Sequence, residues 1–134
     1  MEQYYQKEIE TMPREQIQAL QSERLVKQVR HVYENVPYYR KKMQEKQIVP
    51  EDIHGIEDLH KLPFLSKEDL REAYPYGLLA KPLSECVRIQ STSGTTGRRV
   101  VAFYTQHDID LWEDCCARAI AAAGEAQLVI AVFD

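Results

Sequence analysis

Ser91-Thr92-Ser93-Gly94-Thr95-Thr96-Gly97-Arg98 is the stretch on which the reading of this chain turns. Val87-Arg88-Ile89-Gln90 leads into it and Val100-Val101-Ala102-Phe103-Tyr104 leads out. Both flanks are rich in β-branched and aromatic residues and predict strands, so the run is a strand–loop–strand crossing. Gly94 and Gly97 let the main chain approach a ligand closely. Hydroxyls and backbone N–H groups can then converge on one anion, and Arg98 and Arg99 add positive charge. That is the chemistry of a polyphosphate cradle. Clusters of Ser, Thr and Gly between strands also serve as plain turns. The consecutive hydroxyls, the glycines bracketing two threonines and the arginines that follow favour the cradle. It is not a Walker A loop, which needs Gly-Lys-Ser/Thr at fixed spacing, nor a Gly-x-Gly-x-x-Gly dinucleotide fingerprint.

Downstream, Thr105 and Asp108 predict a capping pair. Ile109, Trp112, Cys116, Ala119, Ile120 and Ala123 predict the apolar stripe of the helix it opens. Gly124 is a plausible stop. Leu128 to Phe133 is a continuous apolar run, the pattern of a strand buried on both faces. Residues 84–134 therefore predict strand, loop, strand, helix, strand. Such a strand needs neighbours for its backbone, so exposed apolar surface and self-association are expected.

Upstream, residues 1–80 predict a mostly helical segment. Ile17, Leu20, Leu25, Val29, Val32, Tyr33 and Val36 recur at helical spacing, with Pro13 near the start and Pro37 at the end. A second short helix is expected over 39–46, and a turn with a brief helix over 50–59. Ser66-Lys67-Glu68-Asp69 predicts a capped helix running toward Ala73, after which Pro75 and Pro82 break the chain. The tyrosines at 4, 5, 33, 38, 39, 74 and 76 are expected mainly to pack. The class expected is α/β, of α+β character within these residues.

The chain has 134 residues, enough for one small domain or part of a larger one. At 44% hydrophobic and 28% charged residues it has a globular composition, which argues against general disorder. A formal charge of −4, with no basic stripe, argues against a nucleic-acid surface. No run approaches the roughly 18 apolar residues of a membrane span. Met1-Glu2-Gln3-Tyr4-Tyr5 is polar and has no apolar core, so no export signal is expected and the cytoplasm is the default compartment. Cys86, Cys115 and Cys116 have no zinc or disulfide spacing and are expected to be buried small residues. His31, His54, His60 and His107 have no ligand spacing and are expected at the surface or at helix ends.

Ser91 to Gly97 resembles the phosphate-binding loop of adenylate-forming enzymes, the acyl-CoA synthetase and ligase superfamily. The resemblance narrows through Val100-Val101, Tyr104-Thr105, Asp108, Trp112, Ala117-Arg118 and Ala122-Ala123-Gly124. Asn35-Val36-Pro37-Tyr38-Tyr39 and Leu62-Pro63-Phe64-Leu65-Ser66-Lys67-Glu68-Asp69-Leu70-Arg71 also look like the phenylacetate-CoA ligase branch. The resemblance runs from about residue 20 to residue 124. It implies the N-terminal part of an ATP-dependent, AMP-forming acid–CoA ligase, acting on an aryl acetate, with Mg²⁺ sharing the neutralisation of phosphate charge. It implies that Thr92, Ser93, Gly94, Thr95, Thr96, Gly97 and Arg98 hold the phosphates of ATP, and that CoA and the aromatic acid bind elsewhere in a longer protein. The chain alone is then expected to be inactive, and to need a completing polypeptide or self-association. Two departures stand out. Arg98-Arg99 replaces the family's lysine and proline, and the sequence after Gly124 leaves the pattern. Two other functions fit the residues: an adenylating enzyme with a different acceptor, such as an acyl-protein synthetase or cofactor adenylyltransferase, and a non-catalytic partner-binding fragment.

Overall fold

The computed structural model describes residues 4–92 and 99–123. The helical segment begins with a single turn, α1 (Lys7–Glu10), followed by α2 (Arg14–Asn35). Pro13 precedes α2, where its missing N–H costs nothing, and Val36 closes it. Pro37 then opens α3 (Pro37–Glu45), because its fixed φ suits the first helical position. At the end of α3, Gln47 takes the left-handed conformation (φ 58°) and the Ile48 N–H reaches back to the Met43 carbonyl at 3.0 Å. This closure turns Ile48 inward. The expected turn over 50–59 is two short 3-10 helices, Pro50–Asp52 and Ile56–Lys61.

These pieces pack around Val29, Met43, Ile53 and Leu62, with Leu25, Tyr33, Tyr39 and Ile48 against them. The predicted α2 stripe is thus the face that meets α3. Gly55 lets the loop after Ile53 touch α2: a Cβ there would lie 3.0 Å from Ser22 Oγ, the atom that accepts the Ile56 N–H.

α4 (Lys67–Glu72) has the predicted cap. Ser66 Oγ accepts the Asp69 N–H, and Asp69 Oδ2 accepts the Ser66 N–H at 2.6 Å. The other carboxylate oxygen, Oδ1, accepts from Lys42 Nζ at 2.6 Å and from the Tyr38 hydroxyl at 2.8 Å. Tyr39 likewise donates to the Pro63 carbonyl at 3.0 Å. The two upstream motifs, 35–39 and 62–71, therefore fasten α3 to α4. Lys42, then the Ser66 backbone and hydroxyl, then Tyr38 hold the Asp69 carboxyl well below the usual carboxylate range. The hydrogen bond to Asp69 raises Tyr38 above the usual phenol range. Asp58 is a second such group, drawn down to about 2 by Lys61 and the His54 backbone N–H.

A depressed carboxyl stabilises the fold above its unfolded pKa of about 3.9 and loses that contribution as pH falls toward the folded value. Asp69→Asn should therefore lower the melting temperature at pH 7, and the gap to the parent should shrink below about pH 4. Melts recorded at pH 7 and pH 3 check this; an equal gap at both would contradict it.

Beyond a short 3-10 turn at Leu83–Glu85 lie β1 (Cys86–Ser91), β2 (Val101–Thr105) and α5 (Gln106–Ala122). Among the described residues the sheet has two antiparallel strands. The expected third strand, Leu128 to Phe133, and the stop at Gly124 lie outside the described residues. The result is a helical segment joined to a small mixed unit, as the α+β reading expected.

The α5 stripe needs correction. Ile109, Ala117 and Ala121 are buried and Cys116 and Ile120 half-buried, but Trp112, Ala119 and Ala123 are exposed. The buried face thus runs through Ile109, Ala117 and Ala121, while the Trp112 ring lies beside Tyr104 of β2. The cysteines also differ from expectation. Cys86 and Cys116 are half-buried and Cys115 is exposed, so none is a core residue. His54, His60 and His107 are exposed and His31 half-buried, as expected. Of the tyrosines, 33 and 39 pack on the core, whereas 5, 74 and 76 are exposed. No helix among the described residues is long and apolar enough to cross a membrane.

Candidate phosphate-binding site

The site is built on the β1–β2 hairpin. The ladder pairs Arg88 with Tyr104, Ile89 with Phe103, Gln90 with Ala102 and Ser91 with Val101, after an irregularity between Cys86 and Arg88. At the mouth of the loop, Thr92 N–H donates to the Val100 carbonyl at 3.0 Å. The Val100 N–H donates back to Thr92 Oγ1 at 3.1 Å. Two hydrogen bonds thus fix where the loop leaves and rejoins the sheet. Thr92 Oγ1 retains one O–H donor and one lone pair beyond this closure. Ser93, Gly94, Thr95, Thr96, Gly97 and Arg98 lie outside the described residues. Of the expected phosphate-binding residues, the structure places Thr92, which stands exposed at the loop's base.

A shallow groove of about 370 Å³ opens beside that base, lined by Gln90, Ser91, Thr92, Val100, Ala102 and Tyr104. Arg88 and Gln90 alternate along β1 and share one sheet face with Tyr104 and Ala102 opposite, and Thr92 follows just beyond the strand's end. Tyr104 and Trp112 rings sit 5.8 Å apart, and the Arg88 guanidinium lies 5.9 Å above the Trp112 ring. Sequence reasoning missed this Arg88–Trp112–Tyr104 cluster. Its signal was the alternation of Arg88 with Gln90, which sets an exposed cation on the Gln90 face.

The helix after β2 starts without a linker. Thr105 Oγ1 accepts the Asp108 N–H, and Asp108 Oδ2 accepts the Thr105 N–H at 2.8 Å. These bonds, backbone first, lower the Asp108 carboxyl below its ordinary value. The carboxylate is committed to the cap and is no free acid–base group. Thr105→Ala should cost about 0.5–2 kcal/mol of stability, as loss of a helix cap does. Chemical denaturation checks this, and an unchanged midpoint would contradict it. Among the described residues no group of three or more His, Cys, Asp or Glu side chains could hold a metal ion.

The chain is similar to known proteins over most of its length. It is 48% identical over 120 residues to phenylacetate-coenzyme A ligase of Thermus thermophilus, a match covering 90% of this chain and 27% of that protein. It is 46% identical over 116 residues to phenylacetate-coenzyme A ligase of Escherichia coli (strain K12), covering 87% of this chain and 26% of that one. Among solved structures it matches 2-hydroxyisobutyryl-CoA ligase in complex with 2-HIB-AMP and CoA in the thioesterification state, with a TM-score of 0.81 and 30% identity over 89% of this chain and 26% of that one. The same ligase in its postadenylation state matches with a TM-score of 0.82 and 27% identity, over 91% of this chain and 26% of that chain. No family model matches the chain. The chain spans about a quarter of the length of the curated relatives it matches. In sequence, then, it is like one quarter of the phenylacetate-coenzyme A ligases, and in fold like one quarter of an adenylate-forming CoA ligase.

Proposed function

We propose that this chain supplies the phosphate-binding part of an ATP-dependent, AMP-forming acid–CoA ligase for an aryl acetate such as phenylacetate. The observation that carries the reading is the 48% identity over 120 residues to a phenylacetate-coenzyme A ligase, in a match covering 90% of this chain. The hairpin geometry supports it, because Thr92 and Val100 clamp the two ends of a hydroxyl- and glycine-rich loop.

The reaction proceeds in two steps. A carboxylate oxygen of the acid attacks the α-phosphorus of ATP and pyrophosphate leaves. The CoA thiol then attacks the acyl carbon and AMP leaves. The role given to residues 92–98 is to donate hydrogen bonds to the β- and γ-phosphates and to the charge that develops on the departing pyrophosphate. Such donors act by being in place beforehand, not by forming bonds. Arg98 adds a cation of fixed planar geometry. Mg²⁺ accompanies the nucleotide in this proposal and is assigned to no residue of this chain. The acid, the adenine and CoA are assigned to the remaining three quarters of the architecture, and catalysis to the whole. Residues 1–80 act as the helical support and 84–134 as the beginning of the nucleotide-binding domain. A cytoplasmic location fits the use of ATP and CoA, and three unpaired thiols suit a reducing compartment.

The test is a chimera. This chain replaces the matching segment of the Thermus thermophilus ligase, and phenylacetate-dependent exchange of pyrophosphate into ATP is measured. Exchange, followed by thioester formation when CoA is added, is the expected result. A folded chimera that exchanges no pyrophosphate with phenylacetate or other carboxylic acids would remove the ligase reading. Exchange without thioester would favour a different acceptor.

A further inference from the structure

The cluster of Arg88, Trp112 and Tyr104 stands at one end of the groove that opens beside the loop's base. Thr92 and Val100 line that groove at the loop mouth, Gln90 and Ala102 line it further along, and Tyr104 lines its far end. Arg88 pairs with Tyr104 across the ladder, so its Cα lies about 13 Å of strand from Thr92. The Arg88 side chain is held there from the helix side. Trp112 comes from α5, whose first turn is fixed by the Thr105–Asp108 cap. Its ring lies 5.8 Å from that of Tyr104, and the Arg88 guanidinium lies 5.9 Å above it. A guanidinium held over an aromatic ring keeps its N–H donors, whose fixed fork matches two oxygens of one phosphate.

We propose that Arg88 is a binding residue for inorganic pyrophosphate, which it receives at the end of this groove as the anion leaves the β1–β2 loop. The inference rests on the function proposed above, in which pyrophosphate departs at adenylation. An anion moving off the loop's base along this face passes the Gln90 amide and then meets the guanidinium. The chain carries a formal charge of −4, so a multiply charged anion needs a local cation on its path. Arg88 stands too far along the strand to act on the α-phosphorus, and its role is confined to the departing product. The same contact serves pyrophosphate entering in the reverse direction. Trp112 and Tyr104 act through Arg88 as positioning residues. Holding a long side chain in place beforehand spares the entropy that ordering it on binding would cost. That gives a reason for an aromatic ring at position 112, half-exposed on the helix that follows the hairpin.

Trp112 is the chain's one tryptophan, so its fluorescence reports on the guanidinium beside it. The experiment titrates inorganic pyrophosphate with magnesium into the full chain and reads Trp112 emission, with sulfate as the control anion. A saturable change with pyrophosphate and none with sulfate is expected. Arg88→Gln should weaken the apparent affinity about tenfold, the loss of one charge-assisted contact. Arg88→Lys should recover part of it, because the charge returns without the fork. Thermal melts of both variants should match the parent's, since the side chain is exposed. No saturable change, an equal response to sulfate, or an affinity indifferent to Arg88→Gln would each overturn the inference. In the chimera, Arg88→Gln should raise KM for pyrophosphate about tenfold in the exchange reaction and leave KM for phenylacetate unmoved; a merely structural role would move both. Exchange indifferent to Arg88→Gln would overturn the inference and leave the ligase reading standing. A parent chimera without exchange, alongside an Arg88-dependent titration of the full chain, would count against the ligase reading and leave the pyrophosphate contact standing.

Discussion

Met43→Ala should lower the unfolding free energy of this chain by about 2–5 kcal/mol, the range for truncating a fully buried long side chain. Met43 is the one large side chain wholly removed from solvent among the described residues, at 0% exposure. It projects from α3 into the cluster of Val29, Ile53 and Leu62, and its own carbonyl receives the Ile48 N–H that ends the helix. Truncation removes the contacts that join α2, α3 and the loop after Val49, and leaves a void that rigid helices cannot fully close. Small domains are stable by only about 5–15 kcal/mol, so such a loss would populate the unfolded state measurably. Urea denaturation should show a lower midpoint with an unchanged slope. Met43→Leu, which nearly conserves volume, should cost less than about 1.5 kcal/mol. An alanine variant as stable as the parent would show that the helical segment is not organised around this residue.

Thr95→Ala/Thr96→Ala in the single-chain chimera should reduce phenylacetate-dependent pyrophosphate exchange by about 10- to 1000-fold, the range for removing preorganised donors from developing charge. The loss should fall on kcat more than on KM for the acid, because the proposed cradle assigns these donors to the pyrophosphate and not to the carboxylate. Stability should barely change, since neither hydroxyl is needed for the Thr92–Val100 closure that holds the hairpin mouth. The distribution of the effect separates a phosphate cradle from a plain turn. A turn would show a change in melting temperature or none at all, with exchange kinetics intact.

Local chemistry makes much of this fold readable. Ser66 with Asp69 and Thr105 with Asp108 form the two capping boxes that their spacing predicts. The stripe on α2 predicts its buried face because Val29 and its neighbours recur every three or four residues along 22 residues of helix. The flanks of the loop pair as antiparallel strands because both are rich in residues that suit a pleated surface.

What could not be read depends on partners distant in sequence. Tyr38 and Asp69 are 31 residues apart, and nothing in either neighbourhood announces their bond. The family resemblance singles out both stretches without giving a reason; the structure gives one, since the two stretches brace each other. The orientation of α5 escapes a periodicity reading because its composition offers two faces, one with Trp112 and one with alanines at 117 and 121. The buried face runs through Ile109, Ala117 and Ala121, and Trp112 is left to cover Tyr104 beside Arg88. The general habit of free cysteines points to the core, but these three sit outside it, half-buried or exposed. At the candidate site, the cradle read from composition falls mostly on residues 93–98, outside the described residues, and the loop's anchoring is legible from neither strand alone. The exchange of bonds between Thr92 and Val100 exists only once the strands have paired.

In the proposed function the loop between β1 and β2 receives the triphosphate of ATP. The most direct measurement is a crystal structure of the chimera with magnesium and a non-hydrolysable ATP analogue. The expected result is β- and γ-phosphate oxygens within hydrogen-bonding distance of the backbone and hydroxyl groups of residues 92–97. Nucleotide bound with its phosphates away from that loop would contradict it.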